Sequence, residues 1–213
     1  MAEIIKIVDG QMGKEDLALA LKVLKNNGII VYPTETFYGL GGLASSEIAL
    51  GKIYTIKGRN PSQPLPFIAS DLEMVMQFVT GIPDLALVLA ERFWPGPLTL
   101  VLKAEAEKLP AAALGPGETI AVRVPPLIWL RQLVREAGTL LVSTSANLTG
   151  EPPLSNFEQV FELFAEKVDI LIDGGSTPGG QPSTILDLTV SPPRCLREGV
   201  IPLNKIFEIL ERY

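Results

Sequence analysis

Residues 14–33 read KEDLALALKVLKNNGIIVYP, and the change of rhythm inside this stretch sets the fold class. Leu17, Ala20, Leu21 and Leu24 recur at three- and four-residue spacing, which places them on one face of a helix over 14–27. Gly28 follows as a C-cap, and the unbroken apolar run 29–32 reads as a buried strand closed by Pro33. A helix handed directly to a buried strand is the repeating step of α/β proteins.

The same alternation extends outward. Residues 3–8 alternate like a short strand, and helices are expected over 46–56, 72–79 (behind a Ser70/Glu73 capping box), 83–93, 127–137 and 156–164. Strands are expected over 98–103, 120–124 and 140–143, and near 169–172, 184–188 and 195–197. An amphipathic helix over 203–212 closes the pattern. No linker or internal repeat interrupts the series, so the expectation is a single α/β domain over 1–213.

Hydrophobic residues make up 47% of the chain and charged residues 20%, a globular balance. Mean hydropathy is +0.30, yet no apolar run approaches the roughly 20 residues that span a bilayer. Nor does the N-terminus show a signal peptide's basic and apolar regions, so a cytoplasmic protein with no membrane association is expected. The single cysteine, Cys195, has no intramolecular disulfide partner, and histidine is absent. The lack of imidazole removes Ser-His and Cys-His nucleophile pairs and His-rich zinc sites. Net charge is −6 and pI about 4.8, which disfavours tight binding of nucleic acid by phosphate neutralisation.

Many of the 19 glycines and 18 prolines follow expected strands, where α/β proteins build their sites. Residues 32–41, YPTETFYGLG, crowd hydroxyls, a carboxylate and glycines after a strand end; the stretch fits a ligand loop and a capped turn equally well. In KGRNPSQPL (57–65), Lys57 and Arg59 stand two apart just beyond a helix. In an extended segment they face the same way and suit a polyphosphate, although an isolated K-x-R more often complements a helix C-terminus. VSTSANLTG (142–150) runs a strand into hydroxyls and an amide, a phosphate cradle or an N-cap cluster. Arg123 ends the segment TIAVR that Thr119 begins; a guanidinium buried there requires an anionic partner, from the protein or from a substrate.

Taken together, YPTETFYGLG, IKGRNPSQPL, FWPGPLTLVL, TIAVRVP, STSANLTG, PSTILDLT and LREG occur in the order of, and resemble, the YrdC family. The resemblance covers about residues 12–205. It implies a twisted mixed parallel/antiparallel sheet flanked by helices around a positively lined cavity. It implies synthesis of threonylcarbamoyl-adenylate and pyrophosphate from ATP, L-threonine and bicarbonate, with Mg²⁺ accompanying the ATP. By the same resemblance Thr36, Arg123, Ser143 and Ser183 would hold threonine. Lys57, Arg59, Gln63, Thr119, Ser145, Asn147 and Arg197 would surround ATP, with Lys57 and Arg59 as the catalytic cations. Pro153 falls where some relatives touch the nucleotide, and Ile68 where some carry a histidine. The family's pathway implies a transient handover to a tRNA threonylcarbamoyl transferase, and the acidic charge balance implies weak or no direct tRNA binding. The alternative is a non-catalytic RNA-binding or regulatory protein of the YciO-like branch. Metal ligands are not identified by the sequence.

Overall fold

Strand β1 (Glu3–Lys6), helix α1 (Lys14–Lys25) and strand β2 (Ile30–Pro33) form the opening unit of the computed structural model, which describes residues 1–210. Helix α1 stops two residues short of the expected end. Asn27, rather than Gly28, takes the left-handed conformation (φ 61°), which a short amide side chain tolerates. The N–H of Asn27 then bonds to the Leu24 carbonyl at 3.1 Å and that of Gly28 to the Val23 carbonyl at 2.9 Å, closing the helix end.

After Pro33 the structure corrects the sequence reading. Strand β3 (Tyr38–Gly41) pairs antiparallel with β2, Pro33 opposite Tyr38, so the polar loop is the four-residue turn 34–37 of a hairpin. Two glycines hid the strand, because they lower its local propensity while cross-strand pairing supplies the stability. Helix α2 (Glu47–Lys57) begins at Ser46, whose Oγ accepts from the Ala49 N–H at 3.0 Å. Strand β4 (Pro66–Ile68) follows, and then α3 (Leu72–Phe78). The α3 cap is Asp71, not Ser70: its Oδ1 accepts from the Met74 N–H at 2.8 Å. Beyond it come α4 (Asp84–Phe93), β5 (Leu98–Lys103), β6 (Thr119–Arg123), α5 (Ile128–Ala137), β7 (Leu141–Val142) and β8 (Thr144–Ser145). The chain ends with α6 (Phe157–Phe164), β9 (Ile170–Asp173), β10 (Thr184–Asp187), β11 (Arg194–Arg197) and α7 (Leu203–Leu210). Residues 211–212 of the expected last helix lie outside the described residues.

The expected mixed sheet is present as two. One has the order β1-β9-β2-β3-β8, the other β11-β10-β5-β6-β4-β7, and both combine parallel and antiparallel neighbours. The expected strand over 140–143 is β7 alone; the chain then leaves the second sheet, passes through Ser143 and enters the first as β8, a strand the sequence does not indicate. Tyr32 ties this crossing down: its buried hydroxyl donates to the Val142 carbonyl at 2.7 Å. Tyr32, Tyr38, Phe67 and Phe164 are fully buried, and each such side chain contributes about 1.5–3 kcal/mol by leaving water.

Candidate active site

A cavity of about 1290 Å³ opens between the two sheets. It is walled by β3 and β8 from one and by β5, β6 and β10 from the other. Single small-molecule pockets usually measure about 300–1,000 Å³, so this one has room for two ligands side by side. A second hollow of about 240 Å³, beside Lys22, Lys52 and Asp169, contains none of the candidate residues.

Nine of the eleven residues singled out in the sequence reach the cavity wall. The turn 34–37 supplies Thr36, the sheet crossing Ser143 and Ser145, and β6 Thr119 and Arg123. Arg59 and Gln63 come from the segment after α2, while Ser183 and Arg197 come from the ends of β10 and β11. Pro153 also lines the wall. Lys57 and Asn147 do not.

Lys57 departs from its expected role for a visible reason. It is the last residue of α2, only 3% exposed, and Gly58 takes the left-handed conformation (φ 59°). That turn sends Arg59 away from Lys57, so the two cations do not share one extended face. The Lys57 ammonium instead donates to the Ser145 carbonyl at 2.6 Å, and to the Asn147 carbonyl and Asn147 Oδ1, each at 2.9 Å. Three donors meet three acceptors, leaving none for a phosphate. Burial, with the nearby Arg59 charge, pushes its pKa down to about 8. The K-G-R step and the S-A-N loop therefore do meet, but Lys57 and Asn147 build the wall from behind. Asn147 Oδ1 also accepts from the Ser145 hydroxyl at 2.6 Å.

The arginines present charge directly. Arg59 is folded onto its own loop, Nε donating to the Gln63 carbonyl at 3.1 Å and Nη2 to the Pro64 carbonyl at 3.0 Å; burial lowers its pKa. Arg197 grips Ser183 twice, Nε to its carbonyl at 3.0 Å and Nη2 to its Oγ at 3.1 Å. Ser183 Oγ also lies 2.9 Å from Thr99 Oγ1. Arg123 is buried, and its Nη1 forms an ion pair with Glu35 Oε1. Its anionic partner is thus a protein carboxylate, which the sequence marks only as a lone Glu between two threonines in the turn. Burial pushes the Arg123 pKa down to about 10; Tyr32 works against that shift and Arg197 with it. Ser143 Oγ stands 3.5 Å from Arg123 Nη2. Ile68, the register neighbour of Arg123 on β4, is fully buried and brings no polar group.

Among the described residues no three His, Cys, Asp or Glu side chains cluster to hold a metal ion. The polar side chains lining the cavity are hydroxyls, the Gln63 amide, guanidinium groups and the Asp187 carboxylate, which pairs with Arg194 at 3.4 Å.

Four arginines, one of them (Arg194) paired with Asp187, and a set of hydroxyls between two mixed sheets define an α/β protein suited to anionic and polar small molecules. Comparison with known proteins narrows this class. A family described as "Telomere recombination", comprising Sua5, YciO and YrdC proteins, matches residues 22–199. A curated relative from Pyrococcus abyssi, threonylcarbamoyl-AMP synthase, is 37% identical over 91% of this chain and 57% of its own length. The crystal structure of P. abyssi Sua5 complexed with L-threonine superposes with a TM-score of 0.92 at 35% identity, covering 98% of this chain and 61% of that one. Escherichia coli YciO superposes with a TM-score of 0.85 at 28% identity, covering 97% of this chain and 100% of that one. The chain belongs to the Sua5/YciO/YrdC family. It spans a little over half the length of the archaeal relative.

Proposed function

We propose that this chain is a nucleotidyltransferase that forms threonylcarbamoyl-AMP and pyrophosphate from ATP, L-threonine and bicarbonate. One observation carries the reading: a two-ligand cavity holds Arg123 at one position and Arg59 and Arg197 at others, in a family whose members include named threonylcarbamoyl-AMP synthases. The likeness to a Sua5 structure holding L-threonine supports the amino-acid half of the site.

In this reading Arg123 takes the threonine carboxylate, and Thr36, Ser143 and Ser183 surround the rest of the amino acid. The neutral threonine amine first attacks the carbon of bicarbonate, a C–O bond breaks and water leaves, giving a carbamate. A carbamate oxygen then attacks the α-phosphorus of ATP, and the bond to the bridging oxygen of pyrophosphate breaks. Such chemistry requires alignment and charge stabilisation and no protein nucleophile, so the absence of histidine is no obstacle. Arg59 and Arg197 offset charge on the triphosphate, and Gln63, Thr119 and the Ser145–Asn147 loop frame the nucleotide. Since no carboxylate cluster is found among the described residues, Mg²⁺ is proposed to arrive on the phosphates, as is usual for this ion. Among the described residues no helix is long and apolar enough to cross a membrane. The product is proposed to pass to a separate tRNA-modifying transferase.

Pyrophosphate release is the decisive assay, with ATP, L-threonine and bicarbonate each omitted in turn. Dependence on all three is expected; release independent of threonine overturns the reading.

A further inference from the structure

We propose that Glu35 is a counter-charge that makes the Arg123 corner of the cavity select zwitterionic α-amino acids over simple carboxylates. The proposal rests on the reading of Arg123 as the carboxylate-binding group. Glu35 sits in the turn between β2 and β3, where the backbone fixes it. Thr34 Oγ1 donates to the Phe37 carbonyl at 2.6 Å and accepts from the Thr36 N–H at 3.2 Å. Both carboxylate oxygens are enclosed; Oε1 meets Arg123 Nη1, and Oε2 has no hydrogen-bond partner among the described residues. The cavity is lined by Thr34, Thr36 and Phe37, while Glu35 stands behind the arginine that faces the ligand.

Charge arithmetic then decides what the corner accepts. Empty, the Arg123–Glu35 pair is neutral, and the nearby Arg197, tied to Ser183, is the cation assigned to the triphosphate. A ligand carrying only a carboxylate places two negative groups against one buried cation, and in a poorly solvated site that excess is heavily penalised. An α-amino acid brings an ammonium on the carbon next to its carboxylate, so the corner stays neutral when filled. Neither Ile68, apolar and buried beside Arg123, nor the nearby Arg197 can replace Glu35 as the negative partner. Selection of this kind works by leaving the wrong ligand uncompensated.

A role limited to holding Arg123 in place predicts that loss of Glu35 weakens all carboxylates alike. A counter-charge role predicts that the ratio between ligands changes. Calorimetric titration of the whole chain with L-threonine and with 3-hydroxybutyrate, which lacks the amine, separates the two. The wild type should prefer L-threonine by at least about tenfold, the scale of one uncompensated charge near a protein surface. Glu35→Gln should bring the ratio to within about threefold of unity, mainly through tighter 3-hydroxybutyrate binding. An unchanged ratio in Glu35→Gln overturns the proposal alone. A wild-type ratio near one also overturns it, and that measurement stands even where the variant fails to fold. Binding of neither compound by folded wild type removes the amino-acid reading of the site and this proposal with it.

Discussion

An ammonium as enclosed as that of Lys57 persists only where oxygens replace the water it has lost, and the Ser145–Asn147 loop supplies three of them. Lys57→Met keeps the volume but orphans those acceptors. It should lower stability by about 3 kcal/mol, from unpaired polar groups at roughly 1–3 kcal/mol each with partial rescue by water. Urea unfolding measures it. A pH signature accompanies the loss. The native pKa of about 8 lies below the unfolded 10.5, so in that window the unfolded chain holds a proton the native lysine has released. The lysine's contribution therefore rises with pH across the window and is smallest below it. The wild-type advantage over Lys57→Met should be larger at about pH 9.5 than at about pH 7.5; a flat difference contradicts the assignment. The hydrogen bonds of Arg59 go to exposed carbonyls of its own loop, so Arg59→Ala should change unfolding little. It should slow pyrophosphate release by about 10²–10³-fold, as removal of an electrostatic stabiliser does. Sequence alone named both residues but not their division of labour, because a K-x-R spacing does not reveal the turn that separates them.

That turn belongs to the scale of elements, where two glycines make opposite demands. At Gly58 the left-handed backbone is the constraint, and an added Cβ would meet nothing within 4 Å. Gly58→Ala should therefore destabilise by about 1–2 kcal/mol, the price of the conformation alone. At Gly41 a Cβ would stand 2.4 Å from the Val142 carbonyl oxygen and 2.8 Å from the Tyr32 ring, where the two sheets meet. Gly41→Ala forces the crossing apart, so it should destabilise by about 3 kcal/mol and also weaken nucleotide binding, since β8 carries Ser145. Equal losses in the two variants, read by urea unfolding, contradict the distinction. The elements legible in advance were those with a strong local pattern. Strands β5 and β6 and helices α1, α4 and α5 lie within two residues of expectation. Strand β3 was masked by Gly39 and Gly41, while β4 and β8, of three and two residues, become strands only through partners distant in sequence. The cavity residues were legible through the order of family-like motifs, since each segment alone fits a turn or cap as well, whereas the Glu35–Arg123 pairing is set by the meeting of β2–β3 with β6.

For the whole molecule, the arrangement of charge separates an enzyme handling small anions from an RNA-binding protein of the same fold. The chain carries a net −6, and the arginines assigned to ligands are tied into a cavity: Arg59 to the Gln63 and Pro64 carbonyls, Arg197 to Ser183, Arg123 to Glu35. A tRNA backbone approaching the exterior meets a predominantly acidic protein, and each phosphate contact must come from a cation free at the surface. Nucleic-acid binders that work by releasing counterions show a log–log salt slope of about −0.7 to −0.9 per phosphate contact, with non-specific affinities near 10⁻⁴–10⁻⁶ M at physiological salt. Fluorescence anisotropy with labelled tRNA should show no saturation below about 10⁻⁴ M at physiological salt, and no steep gain at about 50 mM. Saturable micromolar binding with a slope of several units, in a protein that releases no threonine-dependent pyrophosphate, would transfer the cavity's role to an RNA-binding function. Under the proposed function, with the ligand-facing arginines tied into the cavity and a net charge of −6, the product would leave as a small molecule and recognition of the tRNA would fall to another protein.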